Sequence, residues 1–505
     1  MEVLAEEKIS AGEEKFETIR RKAGLFLAPL GFALTWWWTS GFLSPEASKL
    51  SGVLALMVLF WVTESIPLPV TAVLGAVLNI VLGVASPKTV LAPFADPIIF
   101  LFIGGFMLSR AMLSHGLDKR IALAVLSIPG VSKNPNRILL ALGLVITPIS
   151  MWVSNTATVA IFLPIALGIL GSIMGDLPLR KQPYATGMML MLAYGTSISG
   201  ITTPVASPPN LIAIGQLEKL ANIEIGFLTW MLICVPIFAA MFFALWIYLC
   251  HTHPSGQEVT QRSGDLATYL AKQRQALGKW SRGEISTAIA FSVAVVLWLW
   301  PGFANLLLGS NDPRVRFLND HFPEAIVGLL AACLLFFLPG KDGKKALTWQ
   351  EAERIDWGII LLFGGGLSLG SLMFSTGVAE AMGKAAAAML GPDVGLWGLT
   401  ALAIGAGILL SETTSNTSSA TMLCPVVIAL SDAMGVSPVA PTIGACLGAS
   451  MGFMLPVSTP PNAIVYGSGL VPLKAMLRAG IVIDLIGWII IWAGLRIICP
   501  MLGYA

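Results

Sequence analysis

The chain has 505 residues, of which 56% are hydrophobic and only 11% are charged, and its mean hydropathy is +0.81. So few charged groups cannot cover a soluble globule of this length, which excludes a water-soluble enzyme or binding protein. The net charge is +2, and no basic stripe interleaved with aromatic residues suggests nucleic-acid binding. The composition predicts an all-α polytopic membrane protein.

The first 24 residues are charged and amphipathic, and they include acidic groups that a secretory leader does not normally carry. We expect residues 1–24 to form a retained cytoplasmic helix. The apolar stretches that follow predict about eleven transmembrane helices and two further long segments that return to the side from which they enter.

In this arrangement most Lys and Arg residues lie on one side of the membrane. With the N-terminus in the cytoplasm, 23 of the 30 basic residues fall in cytoplasmic segments, as the positive-inside rule requires. The seven on the other side are Lys49, Lys88, Lys219, Arg314, Arg316, Lys384 and Arg496. The sequence therefore predicts a multi-pass plasma-membrane protein with its C-terminus outside.

Two polar motifs occur once in each half of the chain. Ser154-Asn155-Thr156 returns 261 residues later as Ser415-Asn416-Thr417, and Pro208-Pro209-Asn210 returns 252 residues later as Pro460-Pro461-Asn462. A Leu-Phe-x-Gly-Gly string also recurs at the offset of 261 residues. Collinear matches of this kind indicate that the chain is a duplication.

The duplication divides the chain into two units. Residues 25–250 contain the first transmembrane helix and repeat 1, residues 251–283 form a cytoplasmic linker, and residues 284–505 form repeat 2. Each repeat is expected to cross the membrane five times. Because five is odd, the second repeat must run upside down relative to the first, which is the inverted-repeat plan of many secondary transporters.

The Ser-Asn-Thr motifs interrupt two long apolar segments, 138–174 and 395–435. Each arm beside a motif has about 16 residues, or roughly 24 Å of helix, which is short of the roughly 30 Å hydrocarbon core. We therefore expect two opposed re-entrant hairpins whose tips meet near mid-membrane. Irregular backbone is tolerated there only if it is buried in protein or lines a wet cavity.

The Pro-Pro-Asn motifs interrupt the apolar stretches 184–214 and 438–468. Proline removes a backbone donor and clashes with the preceding turn, so each stretch is predicted to be a broken helix that faces a hairpin tip. The freed carbonyl groups and neighbouring hydroxyl groups would then be available to a ligand.

A Ser-Asn-Thr string at the start of a half-helix suits ion binding. Ser, Asn and Thr favour the N-cap position, and the exposed N–H groups and the helix dipole together form an anion site without any Lys or Arg. The side-chain oxygens and nearby carbonyls suit a hard cation such as Na⁺. Isolated polar residues in membrane helices usually serve helix–helix hydrogen bonding, but duplication in register favours a binding site here.

Four acidic residues lie inside apolar stretches: Glu64, Glu324, Glu412 and Asp484. A charge at mid-bilayer costs on the order of 3 kcal/mol, so each of the four is a functional candidate. Glu64 precedes a proline and Glu324 follows one near the ends of predicted spans, which favours a capping or structural role. Glu412 either tunes a cation site, carries a proton or lies solvated at a cavity wall.

Enzyme functions are disfavoured. Residues 448–452 match the nucleophile-elbow pattern G-x-S-x-G, but they lie in a membrane segment, and none of the four histidines is placed in a span to act as a base. The six cysteines show no metal-binding spacing.

At these motifs the chain resembles the divalent anion/sodium symporter family, the carriers of dicarboxylates, citrate and sulfate. The resemblance covers nearly the whole chain and is most specific in the two Ser-Asn-Thr motifs and the run 456–462. It implies a homodimer in lipid whose transport domain moves against a scaffold as an elevator. The implied function is Na⁺-coupled transport of a C4–C6 dicarboxylate such as succinate, malate, fumarate or 2-oxoglutarate.

The family's site residues transfer by motif position. The resemblance implies that the substrate meets Asn155, Thr156, Ser415, Asn416, Thr417, Thr459 and Pro460. It implies two or more Na⁺ ions, bound by Ser150, Ser154, Asn155, Gly200, Thr203, Ser411, Asn416 and Ser458. One departure is Thr202, where many relatives have glycine. The motifs leave three alternatives open: a Na⁺-independent dicarboxylate exchanger, a citrate or sulfate carrier, and an anion channel.

Overall fold

The computed structural model describes residues 11–128, 134–175, 177–256, 265–309, 311–341, 343–391 and 394–504. Within these ranges the backbone is helical, and the only β-pairing is an isolated bridge between Pro339 and Lys345. The all-α class is thus confirmed. Residues 1–10 of the predicted N-terminal helix and residues 257–264 of the predicted linker lie outside the described residues.

Eight helices in the described part of the chain are long and apolar enough to cross a membrane. The helices Pro313–His321 and Glu324–Leu335, which meet at 61°, would together make a ninth. Three further apolar helices are shorter: Leu68–Val81, Pro135–Ser150 and Val439–Ala449. A polytopic membrane fold is therefore confirmed, and the count of eleven spans stays a prediction.

The first helix, Ala11–Thr39, joins the predicted N-terminal helix to the first apolar stretch without a break and packs against Pro45–Thr63. Arg20 in this helix lies 3.3 Å from the carboxylate of Glu64. Glu64 ends Pro45–Thr63 in a left-handed conformation, with φ of 48°. Its position as a helix cap paired with a cation agrees with the structural role expected from the sequence.

The two repeats place corresponding helices in the same order. Repeat 1 contains Pro45–Thr63, Leu68–Val81, Pro87–Leu91, Pro97–His115, Leu117–Leu126, Pro135–Ser150, Asn155–Met174, Pro183–Ser199, Pro208–Ala221 and Phe227–Thr252. The linker contributes Asp265–Ala276. Repeat 2 contains Arg282–Leu308, Pro313–His321, Glu324–Leu335, Trp349–Ala352, Trp357–Ser375, Val378–Leu390, Gly395–Thr413, Asn416–Ala433, Val439–Ala449, Pro460–Gly467 and Leu473–Met501.

The duplicated Leu-Phe-x-Gly-Gly strings hold the repeats together. A Cβ atom on Gly104 would lie 2.4 Å from the carbonyl carbon of Gly328, and one on Gly365 would lie 2.6 Å from the Cβ of Ala72. Each Gly-Gly helix therefore packs closely against a short helix of the other repeat, and only a residue without a side chain permits this approach.

Each Ser-Asn-Thr motif forms the tip of a helical hairpin. The arms of hairpin 1 are Pro135–Ser150 and Asn155–Met174, with 16 and 20 residues, and those of hairpin 2 are Gly395–Thr413 and Asn416–Ala433, with 19 and 18 residues. Three arms exceed the expected 16 residues; the two second arms begin inside the motifs, at Asn155 and Asn416, whereas Gly395–Thr413 ends before its motif. By length, Asn155–Met174 and Gly395–Thr413 suffice to span a bilayer, so re-entrance stays a prediction.

Both Pro-Pro-Asn segments break a helix as predicted. Broken helix 1 consists of Pro183–Ser199 and Pro208–Ala221, and broken helix 2 consists of Val439–Ala449 and Pro460–Gly467. The first half of each packs against the hairpin of its own repeat, whereas the second half packs against the hairpin of the other repeat. Because its two halves pack against different hairpins, each broken helix contacts both hairpins.

Candidate functional site

The serines of the two motifs cap the second arms of the hairpins. Ser154 Oγ accepts a hydrogen bond from the backbone N–H of Ala157 at 3.4 Å, and Ser415 Oγ accepts one from Ser418 at 3.2 Å. The first N–H groups of these helices have no intrahelical acceptor, so they are available to an anion.

The tips differ in exposure. Ser154 and Thr156 are exposed and Asn155 is half-buried. In the second motif all three residues, Ser415, Asn416 and Thr417, are half-buried.

The end of the first arm of hairpin 1 meets broken helix 1 in a group that we call cluster 1, formed by Ser150, Asn155, Thr196 and Gly200. Ser150 is fully buried, and its Oγ lies 3.0 Å from Asn155 Oδ1 and 2.9 Å from the Thr196 carbonyl oxygen. A Cβ atom on Gly200 would lie 2.7 Å from Asn155 Oδ1. Three oxygens thus converge at a point where the backbone must carry no side chain.

Repeat 2 contains the same arrangement, cluster 2, formed by Ser411, Asn416, Ala449 and Gly452. Ser411 Oγ lies 2.7 Å from both Asn416 Oδ1 and the Ala449 carbonyl oxygen. A Cβ atom on Gly452 would lie 3.0 Å from Ser411 Oγ. Gly452 is the counterpart of Gly200 at the offset of 252 residues. Applying that offset to Gly200 would have identified it from the sequence.

The asparagines of the Pro-Pro-Asn motifs close the breaks. Asn210 Nδ2 donates to the carbonyl oxygens of Gly200 and Thr203, each at 2.8 Å. Asn462 Nδ2 donates in the same way to Gly452 at 2.9 Å and to a second carbonyl, that of Leu455, at 3.0 Å. These amides hold the carbonyls that the prolines free. Both asparagines belong to the duplicated motifs, but the sequence did not predict this role for them.

Two residues of the breaks reach back to the hairpins. The Thr203 hydroxyl donates to the carbonyl of Met151, one residue beyond Ser150. Ser458 Oγ lies 2.8 Å from Glu412 Oε2 and 3.2 Å from the Glu412 carbonyl oxygen. Each break is thereby fixed to the tip of its own hairpin.

Thr459 and Pro460 start the second half of broken helix 2. Thr459 is buried and caps this half, because its Oγ1 accepts from the backbone N–H of Asn462 at 3.3 Å. Pro460 is exposed. The structure thus places both predicted substrate contacts at a helix N-terminus beside cluster 2.

Glu412 is buried, so the alternative of a solvated position at a cavity wall is wrong. Only 6% of the residue is exposed, and its carboxylate accepts from the backbone N–H of Met454 at 2.8 Å and from Ser458. Packing of the broken helix over the end of the first arm removes it from water. Glu324, which is half-buried, accepts from the backbone N–H of Phe227, which is a structural contact.

One cation lies near a hairpin tip at a position that the sequence did not predict. Arg20 Nη1 donates to the carbonyl of Thr413 at 3.4 Å, two residues before Ser415. Its pairing with Glu64 largely balances this charge. No local pattern indicated the contact, since 393 residues separate Arg20 from Thr413.

Contacts between the repeats make one centre of the two clusters. Tyr194 Oη in broken helix 1 donates to the Phe453 carbonyl at 2.8 Å, and the two rings lie 4.7 Å apart. Cys446 Sγ in broken helix 2 lies 3.8 Å from Asn210 Oδ1. The breaks therefore support each other.

The donor set determines what the centre can bind. Both clusters consist of hydroxyl, amide and carbonyl oxygens, the ligands of hard cations, with no Lys, Arg or His side chain among their residues. In the described part of the chain no group of three or more His, Cys, Asp or Glu residues is arranged to hold a metal ion. Oxygen clusters beside two helix N-termini suit Na⁺ together with an anion.

Comparison with known proteins gives the family. The model of the sodium:sulfate symporter transmembrane region matches residues 31–503. The chain belongs to this family. It is therefore a multi-pass membrane transporter and not an enzyme.

Named relatives cover almost the whole chain. The chain is 32% identical over 502 residues to the sodium-dependent dicarboxylate transporter SdcS of Staphylococcus saprophyticus, covering 95% of this chain and 91% of that protein. It is 32% identical over 490 residues to the SdcS of Staphylococcus aureus strain USA300, covering 93% and 89%.

Two solved transporters share the fold. Neisseria gonorrhoeae MtrF superposes with a TM-score of 0.54 at 12% identity, covering 83% of this chain and 84% of that chain. Alcanivorax borkumensis YdaH gives a TM-score of 0.50 at 12% identity, covering 83% and 88%. At this identity the likeness concerns the fold alone.

Proposed function

We propose that this protein couples Na⁺ movement to the transport of a C4–C6 dicarboxylate. The observation that carries the proposal is the pair of matching oxygen clusters, each beside a capped helix N-terminus that lacks a cationic side chain. A divalent anion on such a centre needs a counter-charge, and Na⁺ on the adjacent oxygens supplies it. The named relatives, sodium-dependent dicarboxylate transporters, support this choice of ions.

Each cluster binds one Na⁺ in this proposal. The first ion is held by Ser150, Ser154, Asn155, Thr203 and the Gly200 carbonyl. The second is held by Ser411, Asn416 and the Ser458 carbonyl, and the repeat adds the Gly452 carbonyl as the counterpart of Gly200. Asn210 and Asn462 use only one lone pair of each carbonyl that they bind, so the other remains for a cation.

The substrate carboxylates lie between the two tips. Asn155 and Thr156 contact one end of the dicarboxylate, and Ser415, Asn416 and Thr417 contact the other. Thr459 and Pro460 line the same space from the broken helix. The exposure of Thr156 and Pro460 supports an accessible site.

The hairpins and broken helices move as one transport domain in this proposal. Hydrogen bonds from Ser150 to Thr196 and from Ser411 to Ala449 support the idea, because they join each hairpin to its own broken helix. The family resemblance adds an elevator movement against a scaffold in a homodimer. We place the protein in the plasma membrane with a cytoplasmic N-terminus and an outside C-terminus. Cross-linking across the dimer and accessibility of single cysteines at each terminus test these assignments.

Counterflow in proteoliposomes tests the proposed function. Purified protein is loaded with unlabelled succinate, 2-oxoglutarate, citrate or sulfate, and uptake of the labelled compound is followed in Na⁺ and in choline. We expect succinate counterflow that requires Na⁺. Equal counterflow in choline would indicate a Na⁺-independent exchanger, exclusive uptake of citrate or sulfate would change the substrate, and unitary currents in a planar bilayer would indicate a channel.

Calorimetry gives an independent test of coupling. Since both ions share the hairpin tips, Na⁺ should raise the affinity for succinate, and succinate should raise the affinity for Na⁺ by the same factor. Identical succinate titrations in Na⁺ and in choline would contradict the shared site.

A further inference from the structure

A cavity of about 410 Å³ opens at the surface where the linker meets repeat 2. It lies between the start of the helix Arg282–Leu308 and the loop that joins Glu324–Leu335 to Trp349–Ala352. Among the described residues its lining includes no acidic side chain and four basic ones: Arg282, Lys341, Lys344 and Lys345. We call it the basic cavity. A concave site lined by charges of one sign concentrates ions of the opposite sign, so this cavity attracts anions.

The positive charge of the basic cavity is not neutralised by ion pairs. All four basic residues are exposed, and none forms a salt bridge with a described residue. The Lys345 ammonium group donates to an uncharged acceptor, the Phe337 carbonyl, at 3.2 Å. Asp342 lies outside the described residues and supplies one negative charge in the sequence against the four positive ones. An excess of positive charge therefore remains for a ligand.

The loop that carries the three lysines has a defined shape. The Gly340 N–H donates to the Lys344 carbonyl at 2.7 Å, and Pro339 and Lys345 form the isolated β-bridge. Ser286 Oγ donates to the Pro339 carbonyl at 2.7 Å, which attaches the loop to the helix on the other side of the cavity. The loop backbone thus keeps the three lysines together without a ligand, which lowers the cost of binding one.

The opposite wall of the basic cavity is a helix N-terminus. Ser281 caps Arg282–Leu308, because its Oγ accepts from the Glu284 N–H at 3.1 Å, and the Glu284 carboxylate accepts from the Ser281 N–H at 2.6 Å. The same carboxylate lies 2.6 Å from Arg120, which balances its charge. The partial positive charge of the helix N-terminus therefore adds to that of the four basic side chains.

Tryptophan residues indicate that the basic cavity lies at the edge of the bilayer. Trp280 directly precedes the cap Ser281, and Trp349 and Trp357 follow the lysine loop. Half or more of each of these tryptophans is exposed. Tryptophan is enriched where membrane proteins cross the headgroup region. The cavity is thus expected at headgroup depth, on the side that the distribution of Lys and Arg predicts to be cytoplasmic.

An exposed apolar face extends from the basic cavity along Arg282–Leu308. Ile285, Ile289 and Val296 of this helix are exposed, and so is Phe337 at the start of the loop. Only 17% of the most apolar part of this helix is buried, the smallest share among the eight spanning helices in the described part of the chain. A lipid whose headgroup occupied the cavity would find apolar surface for its acyl chains directly beside it.

We propose that the basic cavity binds the phosphate group of an anionic phospholipid whose acyl chains lie along the exposed face of Arg282–Leu308. Arginine and lysine both bind phosphate, and basic pockets at the cytoplasmic ends of transmembrane helices suit such headgroups. A soluble phosphate ester would offer the same charge but would leave the apolar face uncovered, which favours the lipid. The site is separate from clusters 1 and 2, and the inference does not depend on which ions are transported.

Native mass spectrometry of the purified full chain in detergent tests the site. The protein is titrated with phosphatidylglycerol, phosphatidylcholine and glycerol 3-phosphate. We expect the wild type to bind phosphatidylglycerol about tenfold or more tightly than phosphatidylcholine. The double variant Lys341→Gln with Lys344→Gln should weaken the binding of phosphatidylglycerol by about 30-fold, since two basic contacts are lost. Ile289→Ser, on the apolar face, should weaken the binding of both lipids and keep the preference for phosphatidylglycerol.

The matched control is Lys272→Gln with Arg274→Gln, which removes the same charge from exposed residues of the linker helix Asp265–Ala276. It should bind phosphatidylglycerol like the wild type. An equal loss in this control, or unchanged affinity in the folded lysine variant, would overturn the site. If the lysine variant does not fold, equal affinity of the wild type for the two lipids would overturn it. Binding of glycerol 3-phosphate as tight as that of phosphatidylglycerol would show a site for soluble phosphate esters and overturn the lipid assignment.

Discussion

The two repeats use the same helices and the same oxygen clusters, but they differ in what surrounds the clusters. In repeat 1 the tip residues Ser154 and Thr156 are exposed, and Met151 follows the buried Ser150. In repeat 2 Ser415 and Thr417 are half-buried, and a carboxylate, Glu412, follows Ser411. What the repeats share is the geometry that holds an ion, whereas what differs is charge and access. We infer that the shared parts serve ion binding and that the differing parts set the charge and the accessibility of each cluster.

The largest loss of succinate uptake is expected when the asparagine side chain of either cluster is removed. Asn155→Ala and Asn416→Ala each delete a side chain that contacts one Na⁺ and the dicarboxylate in the proposal. Each substitution removes one contact to Na⁺ and one to the dicarboxylate, and the loss of two contacts to charged ligands should lower succinate uptake by about 100-fold or more. Uptake at saturating Na⁺ measures this, with chromatographic monodispersity as the check on folding.

The control for this pair is Asn136→Ala, an exposed asparagine at the base of hairpin 1. It should transport like the wild type. If one repeat tolerated the loss of its asparagine and the other did not, the two clusters would not be equivalent binding sites.

Alanine substitution of Gly200 and of Gly452 should lower uptake to different extents in the two repeats. Gly200→Ala places a Cβ atom 2.7 Å from Asn155 Oδ1, whereas Gly452→Ala places one 3.0 Å from Ser411 Oγ. Overpacking of this kind costs about 1–3 kcal/mol, so we expect uptake at low Na⁺ to fall about tenfold or more for Gly200→Ala and less for Gly452→Ala.

Gly171→Ala and Gly467→Ala are the matched controls, because a Cβ atom at either position meets nothing within 4 Å. Both should retain full uptake. A larger loss at Gly452 than at Gly200 would contradict the distances.

Alanine substitution of Ser150 and of Ser411 should change the Na⁺ dependence of uptake by a smaller amount. Ser411 Oγ makes the shorter contacts, 2.7 Å and 2.7 Å, against 3.0 Å and 2.9 Å for Ser150. Removal of a hydroxyl from such a network costs about 0.5–1.5 kcal/mol. The Na⁺ concentration for half-maximal uptake should therefore rise several-fold, and more for Ser411→Ala than for Ser150→Ala. Equal or reversed shifts would show that these contacts do not set Na⁺ affinity.

The smallest effect on transport is expected at Asp118, in the short helix Leu117–Leu126. Burial raises the pKa of Asp118 from 3.8 to about 6, and the residue at the same position of repeat 2 is the buried Ala379. The folded state binds this proton more tightly than the unfolded state, so stability falls as pH rises from about 4 to about 6 and stays lower above that range.

Asp118→Asn should remove this penalty, raising the free energy of unfolding at pH 7 by about 3 kcal/mol with transport unchanged. Thermal midpoints in detergent at pH 5 and pH 7 measure the effect. The variant should gain roughly half as much stability at pH 5 as at pH 7. An equal gain at both values would attribute the effect to packing and not to charge.

Much of this site follows from the repeats in the sequence. The caps at Ser154 and Ser415 and the breaks before Asn210 and Asn462 lie where the duplicated polar and proline motifs predict them, whereas Ser150 and Ser411 were implied only by the family resemblance. Local rules suffice there, because capping and helix breaking act over a few residues.

Contacts between distant helices could not be predicted. The approach of Asp484 to Glu412, the contact of Arg20 with Thr413 and the packing of Gly104 on Gly328 depend on which helix faces which. Single-sequence periodicity gives no such pairing in helices that are apolar on most sides. The lengths of three hairpin arms were also underestimated, in the two second arms partly because Asn155 and Asn416 begin the helix and were counted as loop.

The crossing of the broken helices has a consequence for the history of the gene. Pro208–Ala221 packs against hairpin 2 and Pro460–Gly467 packs against hairpin 1, so a single repeat leaves its own hairpin without the helix that covers it. A gene that encoded one repeat would produce a working centre only when two copies of its product associated and exchanged these segments. Fusion of the two copies into one chain then allowed one half to acquire Glu412 and Asp484 while the other kept apolar residues, which a pair of identical subunits cannot do.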